Sequence, residues 1–391
     1  MQRVLRMAWL ALALIPGAAT AQSSTLTGAS NALNPAISVN GLFLGQVSTE
    51  DSSIDANNIN VQEAEARFTS EVDPFWSADV TVAMHPAHGH EEEEGGHEEG
   101  EQNEHAEEEH AGGFEVDLEE AYIDGRNLPA GFALRLGKFY LPFGKHAPLH
   151  THQFPFVHAP VAVRSFLGDH GLTESGGLLA HRLPVPWYSD LMLYGVDGRA
   201  EIFDAGNRDL AVGGRFKNLW DLTPNATLEL SGSALHGPDG GHPGSGNDLR
   251  IFGADLTYKW ISPAVTKGPA VSATAELIVP DPEEGEGDPF GWYALAQVRV
   301  HRNWWLGASH GRARDVAVAA HHEEKDEDPH EEHHRLERIR ESKLNITFAP
   351  SEFSALRAEV NYIDHRAADE DEVRFMIQWN FTIGAHPAHL Y

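Results

Sequence analysis

The 391 residues include no cysteine, and 59 acidic residues against 28 basic ones leave a formal charge of −31. That excludes disulfides, thiolate metal sites and cysteine nucleophiles, and the charge argues against nucleic acid or anionic lipid as a partner. Beyond the N-terminus no window offers the ~18 consecutive apolar residues of a spanning helix.

The first element is an export signal. Arg3 and Arg6 precede the apolar run MAWLALALIPGAATA, and Ala19-Thr20-Ala21 supplies a small-residue cleavage pattern. Residues 1–21 therefore read as a signal peptide, 22–36 as a short lead-in, and 37–391 as one body.

From there the pattern has period two. In ATLELSGSAL, Leu228, Leu230 and Ala234 oppose Thr227, Glu229, Ser231 and Ser233. VRFMIQWNFTI sets Val373, Phe375, Ile377, Trp379, Phe381 and Ile383 against Arg374, Gln378, Asn380 and Thr382. Each such segment is a strand with one apolar and one polar face. About sixteen begin near 37, 60, 76, 114, 132, 176, 188, 209, 226, 249, 270, 291, 304, 338, 354 and 372. Each approaches the ~9–11 residues that cross a bilayer as a tilted strand. FEVDLEEAYI and LRLGKFYLPFG drift out of phase near one end.

Connections alternate between short turns, such as NLPAG and RNW, and long polar loops at 50–59, 85–113, 145–175, 199–208, 239–248, 281–290 and 316–337. A transmembrane antiparallel β-barrel explains this: periplasmic turns are short and outer loops long. The fold class is thus all-β, with outer-membrane lipid against one face and an aqueous lumen against the other. The polar alternates Arg135, Glu229, Arg299, Arg357, Glu359 and Arg374 are expected to line the pore, beside Glu63, Glu65, Arg67 and Glu119.

Two outer loops are built from His and acid. The first carries His85, His88, His90, His97, His105 and His110, the second His321, His322, His330, His333 and His334. Imidazole with carboxylate suits zinc, copper or nickel, whereas calcium and magnesium take oxygen alone. Irregular spacing predicts weak, exchanging capture of divalent metal ions rather than one tetrahedral site. The loop 145–175 is aromatic, with Phe154, Phe156 and Phe166. Exposing it would be costly, so it is expected to fold into the lumen as a constriction. There His150 and His152, with His146, are the candidates for an ordered metal site, since residues two apart in an extended segment point the same way.

FLGDHGLTESGGLLAHRLPVPWYSDLMLYGVDG (166–198), LRLGKFYLPFGKHAPLHTH (134–152), NPAISVNGLFLGQ (34–46) and GAHPAHLY (384–391) resemble porin-like barrels described as zinc-regulated outer-membrane receptors, relatives of the phosphate-selective porins. The resemblance implies an outer-membrane barrel linked to zinc supply. A first strand near Ile37 leaves no room for a plug domain, so a passive pore is expected. Terminal Tyr391 resembles the signal read by the outer-membrane assembly machinery, and analogy with sixteen-strand porins points to a homotrimer.

The expectation is a channel that gathers transition metal, zinc first, as cargo, with no required cofactor and no catalysis. A general or phosphate-type anion porin with acidic spacer loops is the alternative. A soluble periplasmic metal-binding protein is a second one, although it would need long amphipathic helices that this chain lacks.

Overall fold

The computed structural model describes residues 35–50, 57–86, 113–169, 171–200, 202–204, 206, 209–240, 246–263, 268–283, 287–318, 335–365 and 370–384. The leader, both His/acid loop centres and the C-terminal residues lie outside them. So do His88, His90, His97, His105, His110, His321, His322, His330, His333 and His334.

Sixteen strands follow one another: β1 Ala36–Ser48, β2 Asn57–Glu71, β3 Trp76–Pro86, β4 Phe114–Leu128, β5 Phe132–Tyr140, β6 Thr173–Arg182, β7 Tyr188–Val196 and β8 Ala211–Thr223, then β9 Ala226–Pro238, β10 Asp248–Ile261, β11 Ala270–Pro282, β12 Phe290–His301, β13 Trp304–Val318, β14 Arg335–Ser351, β15 Ser354–His365 and β16 Glu370–Gly384. Every strand pairs antiparallel with its sequence neighbours, and β1 pairs with β16 from Ser38↔Gly384 to Ser48↔Arg374, closing the barrel. Closure leaves no sheet edge, as a wall in hydrocarbon requires.

The alternation read from sequence places the faces. On β9, Leu230 is 46% exposed while Glu229, Ser231 and Ser233 are buried inside. On β16, Phe375, Ile377, Trp379 and Ile383 are exposed, and Glu372, Gln378 and Thr382 face inward. A continuous apolar outer surface around a polar interior belongs in a bilayer, so the chain is an outer-membrane β-barrel.

Among the register irregularities of the strand pairs, those on β2 and β4 bear on the luminal face. Leu42 pairs with Glu63 but Phe43 with Val61, skipping Gln62. Thr81 pairs with Glu120 but Val82 with Leu118, skipping Glu119. The second is the physical reason for the phase drift in FEVDLEEAYI: one extra residue lets two neighbours share a face.

Residues 141–172 leave β5 and return to β6 through the lumen. Leu141 N–H donates to Leu172 O at 2.8 Å, closing the neck. Beyond it, Phe143, Phe154, Phe156, Val163 and Leu167 are buried in an apolar cluster with wall residues Ile251, Ile278, Tyr293 and Leu295. A seven-residue helix, α1 Val161–Leu167, lies within this segment. Strand boundaries differ from expectation at the loops: β3 extends to Pro86, so His85 is a strand residue and not part of the loop, and β6 begins at Thr173.

Candidate functional site

Backbone groups of the inward segment are satisfied by lumen side chains, as buried peptide groups must be. Arg357 Nη2 donates to Phe154 O at 2.9 Å, and Asn345 Nδ2 to Pro155 O at 3.0 Å. Lys343 Nζ donates to His158 O and Ala159 O at 2.9 and 3.0 Å, and Asn380 Nδ2 to His152 O at 3.0 Å. Glu359 Oε2 accepts from Val157 N at 3.0 Å, and Glu341 from Val161 N and Arg164. Arg357 and Glu359, read from sequence as pore-lining, thus clamp the segment across the channel.

That clamp presents His150 and His152 to β2 and β4. His150 caps, and His152 lies within, a tight 3-10 turn, Thr151–Gln153, rather than the extended backbone expected. Gln153 closes it by donating to His150 O at 2.8 Å and accepting from His150 N at 3.3 Å. The two imidazoles still stack, with centroids 5.6 Å apart.

Opposite them, the period of β2 turns Glu63 and Glu65 inward together, and the β4 bulge turns Glu119 and Glu120 inward together. Both ring nitrogens of His150 are engaged: Nδ1 lies 3.1 Å from Glu119 Oε2 and 3.0 Å from Glu65 Oε2, and Nε2 lies 3.0 Å from Glu120 Oε2. His152 Nδ1 is 3.1 Å from the same Glu65 Oε2. That oxygen, fully buried, accepts no well-directed hydrogen bond even though two imidazole nitrogens converge on it. Glu65 is held from behind by Asn40 Nδ2 at 3.3 Å, itself fixed by Thr382 Oγ1 at 2.8 Å.

Electrostatics follow from the count: four carboxylates meet two imidazoles. The neighbouring guanidinium groups belong to other carboxylates, Arg67 Nε to Asp79 at 2.9 Å and Arg135 to Asp124 at 2.8 and 2.9 Å. Burial opposes charge on His150, but the carboxylates of Glu119, Glu120 and Glu65 around it prevail and raise its pKa well above the ordinary imidazole value. A divalent cation would neutralise the same carboxylates in place of that proton.

Among the described residues two donor sets lie within metal-binding reach, Glu63, Glu65 and His152, and Glu65, Glu119 and His150, with ligand atoms within 4.8 Å of one another. Tetrahedral zinc with ligands near 2.0–2.1 Å sets donors about 3.3 Å apart. The His–carboxylate separations of 3.0–3.1 Å would open by a few tenths of an ångström, and the remaining donor atoms of each set lie within 4.8 Å. A cavity of about 440 Å³, lined by Arg67, Tyr122, Asp124 and Arg135, reaches Glu120 and His150 from the short-turn side.

The other candidates lie elsewhere. His146 does not join the cluster. It packs on Phe154 and Tyr293, with centroids 4.5 and 6.3 Å away, and neither ring nitrogen has a hydrogen-bond partner. Burial, then the Lys343 charge, push its pKa down to about 3. His85 Nε2 lies 2.6 Å from Asp117 Oδ2 near the end of β3 that meets the first His/acid loop. Glu229 accepts from Lys145 Nζ at 2.8 Å and lies 3.1 Å from Lys217 Nζ. Arg299 donates to Gly268 O at 2.7 Å, and Arg374 pairs with Glu372. Glu120 was not singled out by the sequence reading. The adjacent pair Glu119-Glu120 in an otherwise alternating strand was the signal available.

No family model matches the chain. An uncharacterized protein of Aquifex aeolicus (strain VF5) is 28% identical over 310 residues, which are 70% of this chain and 63% of that protein. The match thus spans less than two thirds of that relative's length. Among solved structures, a loop-deletion mutant of OmpT, an outer membrane protein of Vibrio cholerae, matches with TM-score 0.52 at 8% identity, covering 90% of this chain and 100% of that one. The anion-selective porin from Comamonas acidovorans gives 0.51 at 10% identity over 89% and 100% of the two chains. The outer membrane channel DcaP of Acinetobacter baumannii gives 0.50 at 10% identity over 90% and 96%. What this chain shares with them is the porin-like barrel fold.

Proposed function

We propose that this barrel is an outer-membrane channel for divalent transition metal, zinc first, and that the ion is bound in transit between the inward segment and the β2–β4 wall. The observation that carries the reading is the convergence of His150 Nδ1 and His152 Nδ1 on buried Glu65 Oε2, at 3.0 and 3.1 Å, with Glu119 beside them. Imidazole and carboxylate donors together favour a transition metal over calcium or magnesium. The His/acid loops would raise metal concentration at the mouth, and the resemblance to zinc-linked barrels supports the choice of ion. A homotrimer, and insertion by the outer-membrane assembly machinery, belong to the same reading.

The test is zinc entry into liposomes carrying the purified barrel and an internal zinc-sensitive dye. Glu65→Gln with His150→Gln should slow zinc entry at micromolar zinc at least tenfold while potassium conductance changes less than twofold. Equal zinc entry in the variant would sink the metal site.

A second reading has its own support. Arg215 and Lys217 of β8 and Arg299 of β12 face the lumen, with Lys145 of the inward segment meeting Lys217 at Glu229, as a pore for small anions would require. Reversal potential in a potassium chloride gradient decides between them: cation preference supports the first reading and chloride preference the second.

A further inference from the structure

On the lipid-facing side of β13 and β14 the register sets Arg312 directly opposite Arg340 and Arg314 opposite Arg338. Toward the short-turn end the same face continues through His310–Ser342, Ala308–Leu344 and Leu306–Ile346 to Trp304–Phe348. It therefore runs from aromatic, through aliphatic, to four guanidinium groups. Like charges directly across a strand pair repel, so two successive Arg–Arg rungs draw anions to them, of which Asp364, opposite Arg340, is one.

Depth says where that anion is. Arg312 lies eight residues beyond Trp304 on β13, about 27 Å along the strand, which at a tilt near 40° is about 21 Å along the membrane normal. Arg314 is about 26 Å up by the same arithmetic. With Trp304 at one aromatic girdle and an apolar band about 25 Å tall, the four arginines sit at the far edge of that band, level with outer-leaflet headgroups. Trp292 and Phe290 of β12 stand in register beside Arg312 and Arg314, as interfacial aromatics do. Asp364 reaches within 3.8 Å of Arg340, and Arg314 Nε donates to Asp288 O at 3.1 Å, so the guanidinium planes are oriented rather than splayed.

We propose that Arg312, Arg314, Arg338 and Arg340 bind the phosphates of a phosphorylated glycolipid of the outer leaflet. Guanidinium forks match phosphate oxygens two at a time, and basic clusters at a membrane surface select anionic lipid. The patch is a local reversal in a chain whose net charge of −31 otherwise repels such lipid. The competing anion is internal: the segment 319–334 that joins β13 to β14 is rich in Glu and Asp.

The experiment uses the whole barrel in phosphatidylcholine nanodiscs, titrated with fluorescent diphosphoryl lipid A and with its dephosphorylated form. The diphosphoryl lipid should bind at least tenfold tighter. Combined Arg312→Gln, Arg314→Gln, Arg338→Gln and Arg340→Gln should abolish that preference, whereas Arg250→Gln, on the outer face of β10, should leave it intact. Equal binding of the two lipids by the unaltered protein overturns the proposal whether or not the variant folds. So does a preference that survives the fourfold substitution. A preference that appears only after deletion of 320–333 also overturns it, because the loop carboxylates would then be the native partners.

Discussion

At the scale of single residues, Glu65 is the hub of the luminal cluster, and Asn40 sets its orientation from the other side. Supporting hydrogen bonds of this kind typically change metal affinity 10–100-fold when lost. Asn40→Ala should therefore weaken zinc binding about tenfold without altering barrel assembly, read by calorimetry and by heat-modified gel mobility. Undiminished affinity would mean that Glu65 needs no such support. His158 gives a pH effect of definite sign. Burial, followed by the charges of Arg164 and Lys343, lowers its pKa to about 3, and His146 is lowered to about the same value. Both exceed that value when the segment is released, so the docked state binds fewer protons. Docking is then fully stabilised above the ordinary imidazole value of 6.5 and is lost progressively as pH falls from there towards 3. Protease cleavage within 141–172 should rise on acidification from pH ~7 to ~4.5, within that linkage window, and a flat response would show that these histidines stay protected.

For the elements, the inward segment depends on contacts remote in sequence, and its entry turn is tight. Gly144 holds φ +62°, and a Cβ there would press on the buried Glu276 carboxylate. Its N–H donates to Ser233 at 3.1 Å, and its carbonyl accepts from Arg215. Gly144→Ala should release the neck and raise single-channel conductance severalfold while leaving strand content by circular dichroism unchanged. The strands themselves were legible in sequence, because side-chain alternation is local: β3, β4, β5, β7, β9, β11, β13 and β15 start where the pattern starts. The cluster was only half legible. His150 and His152 stood out by type, and Glu63, Glu65 and Glu119 as lumen residues, but Glu120 joins them through the β4 bulge, which is set by cross-strand register rather than by period. The wall anchors were beyond reach for the same reason: Arg357 meets Phe154 across 203 positions of chain.

On the scale of the whole molecule, capture and passage are separable. Deleting 88–111 and 320–333 should reduce zinc entry severalfold at submicromolar zinc and leave conductance in potassium chloride unchanged. Loss of conductance would instead give those segments a part in building the barrel. The seam between β1 and β16 has a consequence of a different kind. Thr382 bonds Asn40 across 342 positions, so the first strand waits for the last before either has a full set of partners. Closing so long an interval is entropically slow. During that interval β1 presents an unpaired ladder to any other chain that offers one. Nascent copies therefore need guarding until translation is finished, and a chain stopped before Glu370 is a template for aggregation rather than a smaller pore.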